Sequence, residues 1–199
     1  MSTPSTRLEA VNIMLAAIGQ TPVASLGAGT NALAEMAEII LDEAERDVLS
    51  QSWYFNTEYK VSFSPDSDSF IQLADNIFHA DSAEPSVHYA KRGNRLYNLT
   101  DHTYEFTSNV SLTIVYGLDW EDMPETARSY VTNRAARILA ERYDRDPQIV
   151  RAETRNELEA LARLTKEDGE MGDNNPLTDD PIMLRANNWG GRSALEWGL

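Results

Sequence analysis

Tyr116-Gly-Leu-Asp-Trp-Glu-Asp-Met-Pro-Glu125 marks the place where the chain changes its hydrophobic period. Upstream, Val110, Leu112 and Ile114 alternate with polar residues, the period of a strand with one buried face. Downstream, Ala127, Val131, Ala135, Ile138 and Leu139 recur at helical spacing, and Pro124 suits a first helical position. Asp119, Glu121 and Asp122 precede that start, where acids offset the positive end of a helix dipole. The switch runs from strand to helix once, without βαβ alternation, and that points to an α+β chain.

Working upstream, the period of two extends back to Trp53. Tyr59, Val61 and Phe63 alternate, and short apolar runs follow at 70–73, 77–80, 87–91, 95–97 and 103–106. Gly93-Asn94 is a two-residue hairpin signal between two of these runs. Many short strands in succession predict an antiparallel sheet or small barrel. Before them, Thr6 and Glu9 read as a capping box for a helix with Leu8, Val11, Leu15 and Ile18 on one face, stopped at Gly19. Residues 20–29 read as a loop held extended by Pro22. A second helix is predicted over 31–50, with Leu33, Met36, Ala37, Ile40, Ala44 and Val48 inward. Ile39 and Leu41 make its first turns apolar on more than one side, as in a helix covered on more than one side.

Working downstream, Asp146-Pro147 is a cap and first-turn start for a fourth helix ending near Gly169 or Gly172. Its apolar spacing predicts Val150, Thr154, Leu158 and Leu161 inward, with Arg155, Glu159, Arg163 and Glu167 as an outer, solvated salt-bridge ladder. The chain thus divides into N-terminal helices (1–52), a β-rich lobe (53–117), C-terminal helices (118–172) and an extended C-terminal arm (173–199), with no linker separating independent domains. The arm is rich in Asn, Asp, Gly and Pro yet carries Ile182, Met183, Leu184, Trp189, Leu195 and Trp197. A segment so irregular cannot bury two tryptophans within itself, so they dock on the parent body, a neighbouring subunit or another protein. Aromatic anchors on a polar arm have the composition of interface hot spots. The acidic stretch 167–180 reads as a solvated connector or, in a ring, as a face toward a lumen, and the sequence does not choose between the two.

Composition narrows the function further. The absence of cysteine excludes disulfides, thiolate zinc sites and cysteine nucleophiles and fits a product of the cytosol. No apolar run reaches the roughly 20 residues that span a bilayer. Residues 1–7 lack the order of a signal peptide, so the sequons at Asn98 and Asn109 carry no weight. A net charge of −15 opposes gripping nucleic acid or an anionic membrane, though not DNA sliding past. Of 17 basic residues only Lys60, Lys91 and Lys166 are lysine, and arginine is the cation favoured at protein interfaces.

Catalytic constellations are sparse. His79, His88 and His102 lack metal-ligand spacing, and neither a phosphate-binding glycine loop nor a GxSxG elbow occurs. No cofactor is expected. Asp119-Trp120-Glu121-Asp122 could in principle pair acids with a sugar-binding aromatic, which leaves a polysaccharide hydrolase as the alternative function.

Residues 8–23 (LEAVNIMLAAIGQTPV), then 49–56 (LSQSWYFN), 92–97 (RGNRLY) and 116–125 (YGLDWEDMPE) followed by an arginine-rich helix resemble, in this order, the tail tubular protein A family. Its members are the head-to-tail adaptors of short-tailed podoviruses. The resemblance implies an antiparallel helical bundle carrying the β lobe, with no enzymatic role. It further implies a ring, twelvefold, between the portal protein and the tail nozzle (tail tubular protein B type), around the channel through which DNA leaves. The protein would then be made in the host cytoplasm and reside in the virion tail. On that view Ile182, Met183, Leu184, Arg185, Trp189, Leu195 and Trp197 bind the portal or a neighbouring subunit. Arg128, Arg134, Arg137 and Arg142 become candidates for the subunit interface. A head-completion ring of a long-tailed virus is the variant of this reading that residues 120–125 disfavour.

Overall fold

A computed structural model describes residues 4–27, 29 and 31–172. The first helix, α1 (Arg7–Ala17), begins where the sequence places it. Thr6 accepts the Glu9 amide, while the Glu9 carboxylate accepts from the backbone of Ser5 (2.7 Å) and Thr6 (3.4 Å). The helix buries Ala10, Val11, Met14 and Leu15, then stops at Gly19, whose φ of +70° suits a residue without Cβ. Asn12 ties the following loop down by exchanging two hydrogen bonds with the backbone of Val23. The next helix, α2 (Ala32–Leu49), is capped by the Asn31 side chain, which accepts from Leu33 and Ala34. Its inner face is Ala34, Ala37, Ile40, Leu41, Ala44 and Val48. Met36 and Ile39 point outward instead, and Leu33 is only half-buried. The apolar excess of the first turns is therefore not covered by a second neighbour among the described residues.

The chain then leaves the helices at Trp53-Tyr-Phe-Asn56 and builds five strands: β1 (Thr57–Phe63), β2 (Ile77–Ser82), β3 (Tyr89–Arg92), β4 (Arg95–Asn98) and β5 (Val110–Tyr116). One antiparallel sheet has the order β1-β5-β2, and β3-β4 is a separate hairpin turning at Gly93-Asn94. The predicted runs at 70–73 and 103–106 contribute isolated bridges rather than strands, through Phe70↔Glu105, Gln72↔Arg95 and Asn98↔Thr103. Alternation fails in β1 because a bulge between Glu58 and Val61 puts Lys60 at φ +58° and turns Tyr59 outward. Ile71, Leu73, Ile77, Ala80, Leu96, Phe106, Leu112 and Ile114 close a small core of the lobe's own.

A 3₁₀ turn (Trp120–Asp122) returns the chain to α3 (Glu125–Leu139). Pro124 is the N-cap residue, one position before the helix, and no side chain caps this end; the preceding acids do not serve as caps. At its far end α3 widens into a π-helical turn (Ala140–Asp144), closed by a hydrogen bond from the Arg145 amide to the Ala140 carbonyl with Arg145 at φ +59°. The last helix, α4 (Pro147–Gly172), starts as read, with Asp146 accepting the Gln148 amide. Its inward face differs from the predicted one. Glu157, Ala160 and Leu164 are buried, whereas Leu158 is 60% exposed and Val150, Thr154 and Leu161 are partly covered. A buried carboxylate on the inner face misled a reading based on apolar spacing. The predicted salt-bridge ladder is not formed: no ion pair links Arg155, Glu159 and Arg163 among the described residues, since such solvated pairs gain little, and Glu167 accepts from the Tyr54 hydroxyl instead. The bundle core joins residues of all four helices to Trp53 and Trp120.

Bundle and lobe thus have separate cores, and the chain crosses between them twice. Asn56, 1% exposed, holds both crossings. Its amide donates to the carbonyls of Leu49 (2.8 Å), Gln51 (3.2 Å) and Tyr116 (3.2 Å). Its carbonyl oxygen accepts from the Trp53 amide (2.9 Å) and the Thr57 hydroxyl (3.3 Å). Replacing Asn56 by alanine strands these buried groups and is expected to cost about 3 kcal/mol or more. Trp53→Phe, which loses the indole bond to the Val48 carbonyl and part of a buried ring, should cost less, about 1 kcal/mol for the hydrogen bond with a smaller packing loss beside it. Urea unfolding of the two variants checks the ordering. A second expectation concerns pH. Hydrogen bonds from the Ser5 hydroxyl and amide, with Thr6, hold the Glu9 carboxyl below its ordinary range. Its contribution is complete above the ordinary carboxylate pKa and is lost as pH falls through the depressed value. Glu9→Gln should therefore flatten the acid side of a melting-temperature profile.

Candidate assembly surfaces

Arginines lock the helices to one another. Arg134 of α3 reaches Asp47 of α2 and Glu157 of α4, the latter at 3.1 Å. Arg137 pairs with the same Glu157 and with Glu141 at 2.8 Å. Arg7 of α1 grips Asp42 and Glu45 of α2, its guanidinium 5.7 Å from the centre of the Trp120 ring. Burial pushes the Glu45 carboxyl up, only partly countered by Arg7, so it sits above its ordinary range. Arg142 bridges to Glu43 at 2.8 Å from the π-helical turn. Glu157, mostly covered and serving two guanidinium forks, is the point where α3 and α4 are pinned.

Of the four arginines read as interface candidates, Arg134, Arg137 and Arg142 are therefore engaged within the chain. Arg128, half-buried, has a buried Nε without a hydrogen-bond partner and no ion pair among the described residues. The arm residues Ile182, Met183, Leu184, Arg185, Trp189, Leu195 and Trp197 lie outside the described residues.

The end of α4 is fixed to the joint between bundle and lobe. Asp168 accepts the Tyr54 amide (2.7 Å) and Glu167 accepts the Tyr54 hydroxyl (2.5 Å). Burial, reinforced by Glu167, holds that hydroxyl above its ordinary pKa. At the opposite end of the bundle, a groove of about 380 Å³ opens between the start of α2 and the π-helical turn. Leu15, Leu33, Met36 and Tyr143 line its apolar part, and Gln20, Thr21 and Asn31 its rim. Sequence reasoning missed this groove, although Ile39 beside Ile40 signalled an apolar excess on α2. Nothing in the local sequence announced the π-helical turn that presents Tyr143.

The acid–aromatic cluster is not a sugar site. Trp120 is 2% exposed and faces the bundle core, so the aromatic platform a saccharide needs is absent, while Asp119, Glu121 and Asp122 sit at the surface. His79, His88 and His102 are exposed, and no cluster of metal-ligating side chains occurs among the described residues. No helix is long and apolar enough to cross a membrane among these residues. What the surface offers is contact area: the groove, Arg128 and the exposed Tyr59, Leu99 and Tyr104 of the lobe.

The sequence profile of the tail tubular protein family matches residues 8–174, spanning both the bundle and the lobe. Tail tubular protein A of Klebsiella phage KP34 is similar to this chain, with 33% identity over 126 residues, covering 63% of this chain and 67% of that protein.

Glu157→Gln removes the charge that two arginines share. Breaking a largely buried pair of this kind is expected to cost about 3 kcal/mol. Glu141→Gln, at an exposed partner of Arg137, should cost under about 1 kcal/mol. Thermal unfolding of both variants measures the contrast.

Proposed function

The chain belongs to the tail tubular protein family, a structural component of bacteriophage tails, and on that premise we propose that it is the head-to-tail adaptor of a short-tailed virion. In this reading, copies form a closed ring, twelvefold, between the portal protein and the tail nozzle, around the DNA exit channel. The single observation that carries the proposal is the family match across residues 8–174, which takes in the bundle, the joint and the lobe together.

The physical character of the chain supports the role. A ring wall has to hold its shape against its neighbours, and the arginine links between helices, with Asn56 at the joint, stiffen the subunit. A channel has to release its contents, and a protein of net charge −15 has little with which to retain phosphates. The arm, with Trp189 and Trp197 as anchors, supplies the contact to the portal or a neighbouring subunit, and Arg128 is the helix residue left for the subunit interface. A single weak interface multiplied around a closed ring gains avidity, so the free protein waits as a monomer until the portal templates it.

Light scattering of the purified protein, alone and mixed with its portal ring, tests this. The expected result is a monomer that joins the portal in fixed stoichiometry; a protein that ignores the portal at every concentration contradicts it. Trp189→Ala and Trp197→Ala should each weaken portal binding by about 30-fold, the scale of a hot-spot residue, without moving the melting temperature of the body. Titration with labelled portal measures the loss.

A further inference from the structure

We propose that the groove at the start of α2 is the seat of this chain's own C-terminal segment, residues 185–197, when the protein is free. Three observations meet there. The first is an unpartnered apolar surface. Met36 and Tyr143 of the groove are 41% and 50% exposed, and Ile39, one turn further along α2, is 60% exposed. An opening of about 380 Å³ falls in the range that accommodates a bulky organic group such as an indole. Exposed apolar surface of this kind, gathered at one end of the bundle, marks a contact site.

The second is reach. Helix α4 starts four residues after Tyr143, beside the groove, and ends at Tyr54, beside the lobe. Its length is about 39 Å at the helical rise of 1.5 Å per residue. An extended chain recovers that distance in about 12 residues. Ile182, ten residues beyond Gly172, stops short of the groove end even when fully stretched, whereas Trp189, seventeen residues beyond, arrives with slack and Trp197 with more. Asn, Asp and Pro between 173 and 181 favour an extended or turning run over a helix.

The third is charge. Around Met36 and Ile39, α2 carries Glu35 and Glu38, which have no ion pair among the described residues, while Asp42 and Glu43 are paired with Arg7 and Arg142. Residues 185–197 carry Arg185 and Arg192 against Glu196 alone, so the part of the arm that holds the tryptophans is the part with net positive charge. A tether of this length supplies an effective concentration on the order of millimolar. Contacts too weak to assemble separate molecules are therefore sufficient to hold the arm. The groove in this way shields the anchors that the adaptor role gives to a partner, but its occupancy in the free protein is a separate matter from portal binding.

The absence of cysteine makes the test clean. The full chain carrying Ile39→Cys and Ser193→Cys is treated with a short bismaleimide at low protein concentration and resolved by mass, beside a control carrying Thr107→Cys on the exposed lobe and Ser193→Cys. The expected product is an internally linked monomer, several-fold more abundant than in the control. Linked dimers in its place show that the groove takes a second copy and overturn the proposal. Yields equal to the control overturn it as well. Tryptophan quenching by acrylamide gives a readout independent of cysteine. Trp53 and Trp120 are buried, so the quenchable emission belongs to Trp189 and Trp197. Met36→Asp, at an exposed position, should raise quenching several-fold while leaving the far-ultraviolet circular dichroism unchanged. Equal quenching before and after the substitution contradicts the docking.

Discussion

A chain with two hydrophobic cores has to cross between them, and here both crossings converge on the side chain of Asn56. Backbone groups at such a junction belong to neither a helix nor a sheet, so their hydrogen bonds have to come from side chains. One carboxamide meets three carbonyls, a backbone amide and a hydroxyl, using both its donor and acceptor faces. The Tyr116 amide returns a bond to the Asn56 carbonyl at 2.8 Å, closing the outgoing strand onto the incoming one. Tyr54, two residues away, then receives the end of α4 through Glu167 and Asp168. Three segments distant in sequence, 49–57, the end of β5 and the end of α4, are thereby fixed at one place.

Charge is organised to the same end. The protein is strongly acidic overall, yet its described ion pairs gather where helices meet. Arginine suits those positions because a planar fork can bind two carboxylates from different helices at once, as Arg134 does with Asp47 and Glu157. Four arginines, Arg7, Arg134, Arg137 and Arg142, are thus engaged in holding the subunit together, while the chain as a whole keeps its negative balance. For the wall beside passing DNA that is proposed above this distribution is suitable: the contacts that hold shape are internal, and a net charge of −15 leaves little with which to hold phosphates.

Much of this was legible in the sequence, and the limits have physical causes. Element boundaries were readable where a cap or turn residue has a specific backbone role: Thr6 and Glu9, Gly93-Asn94, Asp146-Pro147. Helix faces were less readable. The inner face of α4 carries Glu157, which no hydrophobic pattern identifies, and reading apolar spacing alone moved Leu158 inward when it belongs to solvent. The bulge at Lys60 reversed the expected direction of Tyr59, because a single extra residue exchanges the two faces of a strand. The arginines of α3 were legible as important but not as to their partners, since ion pairs across 23 and 87 positions depend on the whole topology. The groove combined a readable half, the apolar excess of α2, with an unreadable one, the π-helical turn.

The proposed adaptor role requires a subunit stiff enough to close a ring and a surface that adheres to proteins and not to nucleic acid. The joint at Asn56, the arginine links and the exposed apolar groove are the local means to these ends. Electron cryomicroscopy of the intact virion, reconstructed at the tail vertex with rotational symmetry imposed only after classification, addresses the claim most directly. The account predicts a closed ring of this chain between portal and nozzle, with bundle and lobe in the mutual orientation that the Asn56 joint fixes. The chain absent from that position, or present as isolated copies that close no ring around the channel, would contradict it.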